Sequence, residues 1–535
     1  MSPEYLKNGD DYMMLLEANN LKLYVKDRLL INVTKLQIQK HDRIGLVGRN
    51  GSGKTTLLKV LAGKKFPEDG TVTTLAKCEL LPQLKRTDTT KSGGEVTQEY
   101  INEAIAKNPE IFFADEPTTN LDTDHIEWLE KKLMKWQGAF IIVSHDRALL
   151  DSLCAKIWEI SEGHVKEYKG NYSDYAAQKE LEHHQHEMVY ENYEKKKKQL
   201  EEALILKTKK AERAAKAPKK TSNSEAKITG AKPYFAKKQK KLQQSAKAIE
   251  TRLGKLEKVE KPKEDTPIKM NFPNEETFKG RFVLRVKEVP GMIGKRVLWR
   301  KASFSVRGGD KLAIIGPNGS GKTTLVKKII QPDEGIAISL SMKIGYFSQS
   351  LNILNTEKSI LDNVRSTSIQ NETFIRTILA RLHFFREDVY KSIEVLSGGE
   401  RVKVALAKLM VSDINTLILD EPTTFLDTEA VEALESLLKQ YEGTVIFVSH
   451  DRRLIENIAT RILAINHKEI ELFEGTYDEY KHHEPQEKRN FKEDKRLILE
   501  TKISEILSRL SIESSDELEM EFQKLLAEKR KLDNH

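Results

Sequence analysis

Two strings in this chain have the composition of a phosphate cradle. Gly48, Arg49, Asn50, Gly51, Ser52, Gly53, Lys54 and Thr55 follow the apolar run 44–47 and precede the helix-prone stretch 56–61. Gly316, Pro317, Asn318, Gly319, Ser320, Gly321, Lys322 and Thr323 repeat the pattern after 312–315. In such a P-loop the glycines let backbone N–H groups close round phosphates, Lys54 and Lys322 reach the β/γ oxygens, and the Thr55 and Thr323 hydroxyls suit Mg²⁺. Thr56 and Thr324 extend each cradle. A glycine-rich turn alone is a weak signal, because surface turns also favour Gly and Asn; the lysine, the hydroxyl, the strand context and the repetition together make a strong one. Downstream, each copy has an apolar strand ending in two acids, Asp115 with Glu116 and Asp420 with Glu421. The first acid of each pair suits Mg²⁺ and the second can polarise a water. Both strands continue into Pro-Thr-Thr-x-Leu-Asp, at 117–122 and 422–427, and each copy then reaches Ser-His-Asp-Arg, at 144–147 and 449–452. His145 and His450 occupy matching places, suited to sensing a γ-phosphate. The chemistry expected of this set is nucleotide hydrolysis.

To present these groups each copy needs a strand–loop–helix unit, so the fold class expected is α/β with two tandem P-loop domains. The 535 residues are enough for two domains of ordinary size plus appendages. The expected boundaries are 14–173 for the first domain, 174–263 for a linker, 278–483 for the second domain and 484–535 for a helical C-terminal extension. Residues 1–13, with Glu4, Asp10 and Asp11 and no apolar core, are unlike a signal peptide and read as a leader, with Met13 or Met14 as an alternative start. No apolar run approaches the roughly 18 residues of a membrane span. Cys78 and Cys154 stand alone in unrelated elements, which points to a reduced compartment and offers no paired cysteines for zinc.

The formal charge of +8 is concentrated between the two domains, where 207–247 holds fourteen Lys/Arg against two acids. That is the electrostatic footprint of a phosphate-binding arm. From Asp174 to Ala217 the chain is rich in Glu, Lys, Gln, Ala and Leu without Pro or Gly, which predicts one long helix. Pro218, Ser222, Asn223, Ser224, Gly230 and Pro233 break the pattern and mark a tip near 218–235. Leu242, Ala246, Ile249, Leu253 and Leu256 then give a returning helix a coiled-coil seam. Ser222, Lys232, Tyr234, Phe235, Lys237 and Lys238 are candidate effectors at the tip. The two rings either stack on unpaired RNA bases or close the hairpin. His183, His184 and His186 fit a solvated helix face better than a metal site.

Ser92-Gly93-Gly94-Glu95 and Ser397-Gly398-Gly399-Glu400 resemble the signature of the ABC ATPases. The resemblance implies that the signature of one domain closes over the ATP on the P-loop of the other, with two ATP molecules and Mg²⁺ as ligands. One composite site would join Lys54, Thr55, Gln83, Asp115, Glu116 and His145 to Ser397 and Gly399. The other would join Lys322, Thr323, Gln349, Asp420, Glu421 and His450 to Ser92 and Gly94. By the same resemblance Gln83 and Gln349 contact Mg²⁺, and Tyr24 stacks on adenine where the second copy has Met292. The copies also differ in length. The P-loop lysines lie 268 residues apart, whereas the signatures, the acids and the histidines all lie 305 apart, so the second copy carries 37 extra residues after its P-loop, and that length falls between glutamine and signature. That interval builds the helical arm of an ABC domain; in the first copy only 84–91 remain there. Lys91 replaces the family's usual apolar residue, and both signatures end in Glu rather than Gln. Two unequal ATP sites are expected.

Tandem ABC domains without a membrane part, joined by a long basic helical-hairpin linker, resemble the ABC-F translation factors over nearly the whole chain. The armless first domain, the segment 230–235 and the C-terminal extension look like the Vga-type antibiotic-resistance proteins of Gram-positive bacteria. That resemblance implies a cytoplasmic monomer whose two domains pair with each other. It would enter the tRNA exit site of the ribosome, meeting large-subunit rRNA, the P-site tRNA and ribosomal proteins. Its linker would displace lincosamides, streptogramin A compounds or pleuromutilins from the peptidyl-transferase centre. The C-terminal extension, with a turn at 514–516, would pack on its own domain or touch the ribosome. A fused importer ATPase has no use for a cationic hairpin, and a chromosome-organising ATPase would separate Lys54 from Asp115 by hundreds of residues. An excision-repair ATPase would need zinc cysteines. A housekeeping ABC-F factor without a drug role is the nearest alternative.

Overall fold

The computed structural model describes residues 13–25, 28–83, 93–119, 121–214, 231–259, 279–348, 351, 353–424 and 426–483, and towards the C-terminus 503, 506, 519–520 and 522–526. In the first domain β1 (Met14–Val25) and β2 (Arg28–Gln39) form an antiparallel hairpin joined on its other edge by β4 (Asp69–Thr74). A six-stranded sheet runs in the order β5 (Cys78–Leu81), β6 (Ile111–Asp115), β7 (Ala139–Val143), β3 (Arg43–Gly48), β8 (Lys156–Ser161), β9 (His164–Lys169). Its neighbours are parallel except β8 and β9. The helices are α1 (Lys54–Leu61), α2 (Gly93–Ala106), α3 (Thr123–Met134) and α4 (Arg147–Leu153).

Strands β6 and β7 are apolar at successive positions because both faces of a parallel sheet are covered. Ile111 and Phe113 pack with α1 and the small sheet, whereas Phe112 and Ala114 pack with α3 and α4. The fully buried rings of Phe112 and Phe113 therefore sit three and two residues before Asp115, which they help to position.

Two helices follow, α5 (Tyr172–Ala214) and α6 (Ala231–Gly254), and they pack against each other. At 43 residues α5 is about 65 Å long. It starts two residues before Asp174 because Asn171 is its cap: the Asn171 side chain accepts from Asp174 N and the Asp174 carboxylate accepts from Asn171 N. Helix α6 begins at Ala231, inside the tip expected at 218–235. Pro233 lies in its first turn, where a backbone N–H has no intrahelical acceptor and proline is tolerated. Lys232, Tyr234 and Phe235 are thus helical, Lys237 and Lys238 are exposed on α6, and Ser222 lies outside the described residues.

The second domain repeats the strand order, with β14 (Ile344–Phe347), β15 (Thr416–Asp420), β16 (Thr444–Val448), β12 (Lys311–Ile315), β17 (Arg461–Asn466) and β18 (Glu469–Glu474) beside a small sheet of β11 (Arg296–Arg307), β10 (Phe282–Ile293) and β13 (Ile336–Ile338). Its helices are α7 (Lys322–Ile330), α8 (Ile360–Arg365), α9 (Glu372–Arg381), α10 (Gly398–Met410), α11 (Thr428–Gln440), α12 (Arg452–Ile458) and α13 (Tyr477–His482). Helices α8 and α9 and two 3-10 turns fill the interval between β14 and α10, which is the extra length of this copy. The counterpart 84–92 and most of the C-terminal extension lie outside the described residues; Ile506, within that extension, is buried. Among the described residues no helix is long and apolar enough to cross a membrane.

Phe113 is fully buried between β6 and α1. Its truncation, Phe113→Ala, is expected to destabilise the first domain by about 3–5 kcal/mol, read as a lowered midpoint in chemical denaturation.

Candidate active sites

The sheet order explains why distant motifs meet. Strands β6, β7 and β3 are neighbours with their carboxyl ends together, so the P-loop after β3, the acids ending β6 and the Ser-His-Asp-Arg segment after β7 open into one crevice. Strands β15, β16 and β12 do the same in the second domain.

Both P-loops have the same backbone. Gly48 and Gly316 share a φ of 148°, and a Cβ there would stand 2.7 Å from Ile160 O or 2.5 Å from Ile465 O. Gly53 and Gly321 cap α1 and α7 in the left-handed region. The lysines are buried in both cradles. Lys54 Nζ donates to Gly48 O at 2.6 Å and Arg49 O at 3.1 Å, and Lys322 Nζ donates to Gly316 O at 2.8 Å and Pro317 O at 3.1 Å. Burial pulls both ammonium groups down, and the acids at the strand ends oppose that shift. Ser52 Oγ and Ser320 Oγ are buried without a hydrogen-bond partner among the described residues. Orphaned hydroxyls beside a ring of backbone N–H groups and a buried cation fit a polyphosphate. Thr323 Oγ1 donates to Asp420 Oδ1 at 3.2 Å, and Thr55 bonds Asp115 likewise. These hard oxygens fit Mg²⁺.

Glu116 and Glu421 each have φ of 51°, a left-handed conformation rare outside glycine. Burial pushes both carboxyls up, Glu421 to about 7. Burial also pushes His145 and His450 down to about 3, so both imidazoles are neutral at physiological pH. His145 Nε2 lies 3.1 Å from Glu116 Oε1, and His450 Nε2 lies 3.5 Å from Glu421 Oε1. A carboxyl and a neutral imidazole thus face the crevice side by side, the arrangement needed to hold a water and a phosphate oxygen.

The remaining expected residues are more dispersed. Tyr24 is half-buried on β1, and Met292 is exposed on β10. Gln83 is exposed just beyond β5; Gln349 and Ser92 lie outside the described residues. Thr56 and Thr324 stand in the first turns of α1 and α7, and Gly94 in the first turn of α2. Ser397 caps α10, just before Gly399, in a reciprocal box with Glu400, whose carboxylate accepts from Ser397 N at 2.8 Å. Glu serves that box as well as Gln, which accounts for the last signature residue.

The two domains are joined by residues whose pairing the sequence did not reveal. Asp427 Oδ2 accepts from the P-loop amide of Asn50 at 3.1 Å, and Asp122 Oδ2 accepts from that of Asn318 at 2.8 Å. Arg147 Nη2 donates to Glu435 at 2.8 Å and lies 3.9 Å from Asp451. Arg452 donates to Glu130 through both terminal nitrogens at 3.0 Å and lies 3.9 Å from Asp146. Each arginine therefore leaves its own Ser-His-Asp-Arg segment, crosses to the other domain and binds a helix following that domain's Leu-Asp. Both are buried, and both are held further towards the charged form by these carboxylates. The recurrence of Leu-Asp and of Asp-Arg in both copies was the available signal.

Removing one partner of a buried ion pair strands the other. Arg147→Ala is therefore expected to weaken ATP-dependent domain closure by about 3–5 kcal/mol, followed by fluorophores on the two domains. Adding Glu435→Ala should recover part of the loss. Strictly additive losses would mean that the contact carries no coupling.

The family model described as "ABC transporter" matches residues 31–91 and 299–424. The chain is 31% identical to the "Ribosome protection protein VmlR" of Bacillus subtilis (strain 168), over 97% of this chain and 98% of that protein. It is 33% identical to the "Erythromycin resistance ATP-binding protein MsrA" of Staphylococcus epidermidis, over 83% of this chain and 96% of that protein. Among solved structures, "RNase-L Inhibitor" superposes with a TM-score of 0.54 at 17% identity, covering 86% of this chain and 90% of that one, a likeness of fold. Carried by full-length similarity above 30%, paired P-loop domains and a long helix between them, this chain belongs to the ABC-F family of ATPases.

Proposed function

We propose that this ATPase is a ribosome-protection factor that enters the tRNA exit site with ATP bound. Its linker would then clear lincosamides, streptogramin A compounds or pleuromutilins from the peptidyl-transferase centre. The observation that carries this reading is the attachment of the linker to both domains. Tyr172, in the first turn of α5, donates to Glu432 of α11 at 2.7 Å, and Arg453 of α12 donates to Ser173 at 2.6 Å and pairs with Asp151. Domain closure thus sets the direction of a helix about 65 Å long, and its far end carries the surplus of lysine. Two full-length relatives whose names speak of ribosome protection and erythromycin resistance support the same reading.

In the proposed cycle Lys54 and Lys322 hold the β/γ oxygens, and the backbone of each P-loop orients the phosphates. Thr55 with Asp115, and Thr323 with Asp420, would hold Mg²⁺, which would neutralise phosphate charge. Glu116 and Glu421 position the attacking water and take its proton as the β–γ bond breaks. His145 and His450, neutral, stand by the γ-phosphate. Ser397 and Gly399, and Ser92 and Gly94, complete each site from the opposite domain. Hydrolysis removes the group that bridges the domains, so the chain opens and leaves the ribosome. Large-subunit rRNA, the P-site tRNA and ribosomal proteins are the proposed partners, in the cytoplasm.

The experiment is growth of a drug-sensitive bacterium expressing this chain, challenged with lincomycin, a streptogramin A and a pleuromutilin. Resistance is expected, and it should vanish when both Glu116→Gln and Glu421→Gln are introduced, because that protein should stay trapped on ribosomes with ATP. Retained ribosome co-sedimentation with no resistance to any of the drugs would assign a housekeeping translation role instead. Shortening the segment from Pro218 to Pro233 is expected to abolish protection while leaving ATP hydrolysis and ribosome binding intact. Survival of protection would remove the tip as effector.

A further inference from the structure

The small antiparallel sheets of the two domains share a backbone plan but not a surface. Over 281–307 the second domain carries eight Lys/Arg against one acid, Glu288, and that acid is paired with Lys301 at 3.0 Å. The matching stretch of the first domain, 13–39, carries four Lys/Arg against two acids. The difference is sharpest at one place. Phe282 on β10 is opposite Arg307 on β11, and Arg285 is opposite Ser305. The Phe282 ring is 45% exposed, with the Arg285 guanidinium 4.6 Å and the Arg307 guanidinium 5.1 Å from its centre. In the first domain the same register holds Met14 opposite Gln39 and Glu17 opposite Gln37, and Glu17 is tied to Lys35. The fold therefore does not require an aromatic ring between two guanidinium groups at this position.

We infer that the exposed face of β10 and β11, centred on Phe282, Arg285 and Arg307, is an RNA contact that takes an unpaired base and its flanking phosphates. A guanidinium over a ring keeps its outer N–H donors for phosphate oxygens, and its plane and the ring edge offer a stacking platform. Arg281 and Lys287, both exposed, extend the positive field along the strand. Charge complementarity selects a polyanion, and the exposed aromatic selects one that offers flat faces, as single-stranded RNA does. This contact is separate from the linker, and it rests on the proposed ribosomal role only in that RNA is the partner.

The test uses the full chain and three variants: Phe282→Ala, Arg285→Glu with Arg307→Glu, and the control Lys22→Glu on the first domain's sheet. Co-sedimentation with ribosomes is measured across a range of potassium chloride. The double reversal should weaken binding about tenfold or more and flatten the log–log salt slope by about 1.4–1.8, the value for two lost phosphate contacts. Phe282→Ala should weaken binding about tenfold with the slope unchanged, as loss of one stacked base does. ATP hydrolysis by the free protein should be unaltered in all three, which also reports intact folding. Slopes and affinities equal to the parent would overturn the inference and leave the ribosomal role standing. If the parent itself does not sediment with ribosomes, the ribosomal role fails, and the face is then read by anisotropy on a labelled single-stranded RNA with the same variants. Loss on double reversal would support the inference there, and equal binding would end it. Ultraviolet cross-linking of the peptide around Phe282 to ribosomal protein rather than to rRNA would also overturn it.

Discussion

A pair of hydrogen bonds that cross between the halves of this chain ties each phosphate cradle to the opposite domain. Asp427 accepts from the amide of Asn50 and Asp122 from that of Asn318, so a carboxylate of each domain rests on the phosphate cradle of the other. Backbone N–H groups attract anions, and in these two places the anion is supplied by the partner domain. Each cradle therefore senses the position of the opposite domain as well as its nucleotide. The buried crossings of Arg147 and Arg452 lie on the same interface and hold the helices that follow those aspartates. Motion that separates the domains must strand four or more buried charges, which makes partial opening costly and favours two discrete states.

The linker is tied through its base to the same interface. Tyr172 and Ser173 belong to the first domain's helix yet bond to α11 and α12 of the second. A helix of this length acts as a lever, so a small rotation at the base becomes a displacement of many ångströms at the far end. The coiled-coil contact of α5 with α6 keeps the lever from bending freely.

Much of this was legible in the sequence because it is local. A P-loop, an acidic strand end and a Ser-His-Asp-Arg segment each occupy a few consecutive residues, and their repetition 268 and 305 residues apart made the two-domain plan and the extra arm readable. Contacts between segments hundreds of residues apart were not. Arg147 and Glu435 have no pattern in common, and only the pseudo-symmetric packing of two sheets brings them to 2.8 Å. Backbone conformation was equally hidden. Glu116 and Glu421 are ordinary residue types, yet both adopt φ of 51°, and that turn aims each carboxylate back into the crevice beside a histidine. Proline at 233 was misread for a local reason, since the same residue that breaks a helix interior is compatible with a first turn.

The inequality of the two sites can also be given a physical size. In the first P-loop Arg49 pairs with Glu429 of the second domain at 2.7 Å, and His383 from the arm lies 3.7 Å from the same carboxylate. The second P-loop has Pro317 in place of Arg49, with no charge to form such a pair, and the sequence of the shortened first arm, 84–91, holds no histidine. The supports of the bridging aspartates differ too: Lys403 lies 3.5 Å from Asp427, whereas His125 bonds Asp122 at 2.5 Å. Arg49 and Glu429 are both substantially exposed, so their pair is worth at most about 1 kcal/mol, a factor of roughly five in an equilibrium. The buried crossings are shared by both halves and are individually larger. The symmetric crossings are thus the larger part of the contact between the domains, and the asymmetric ones distinguish the surroundings of the two cradles.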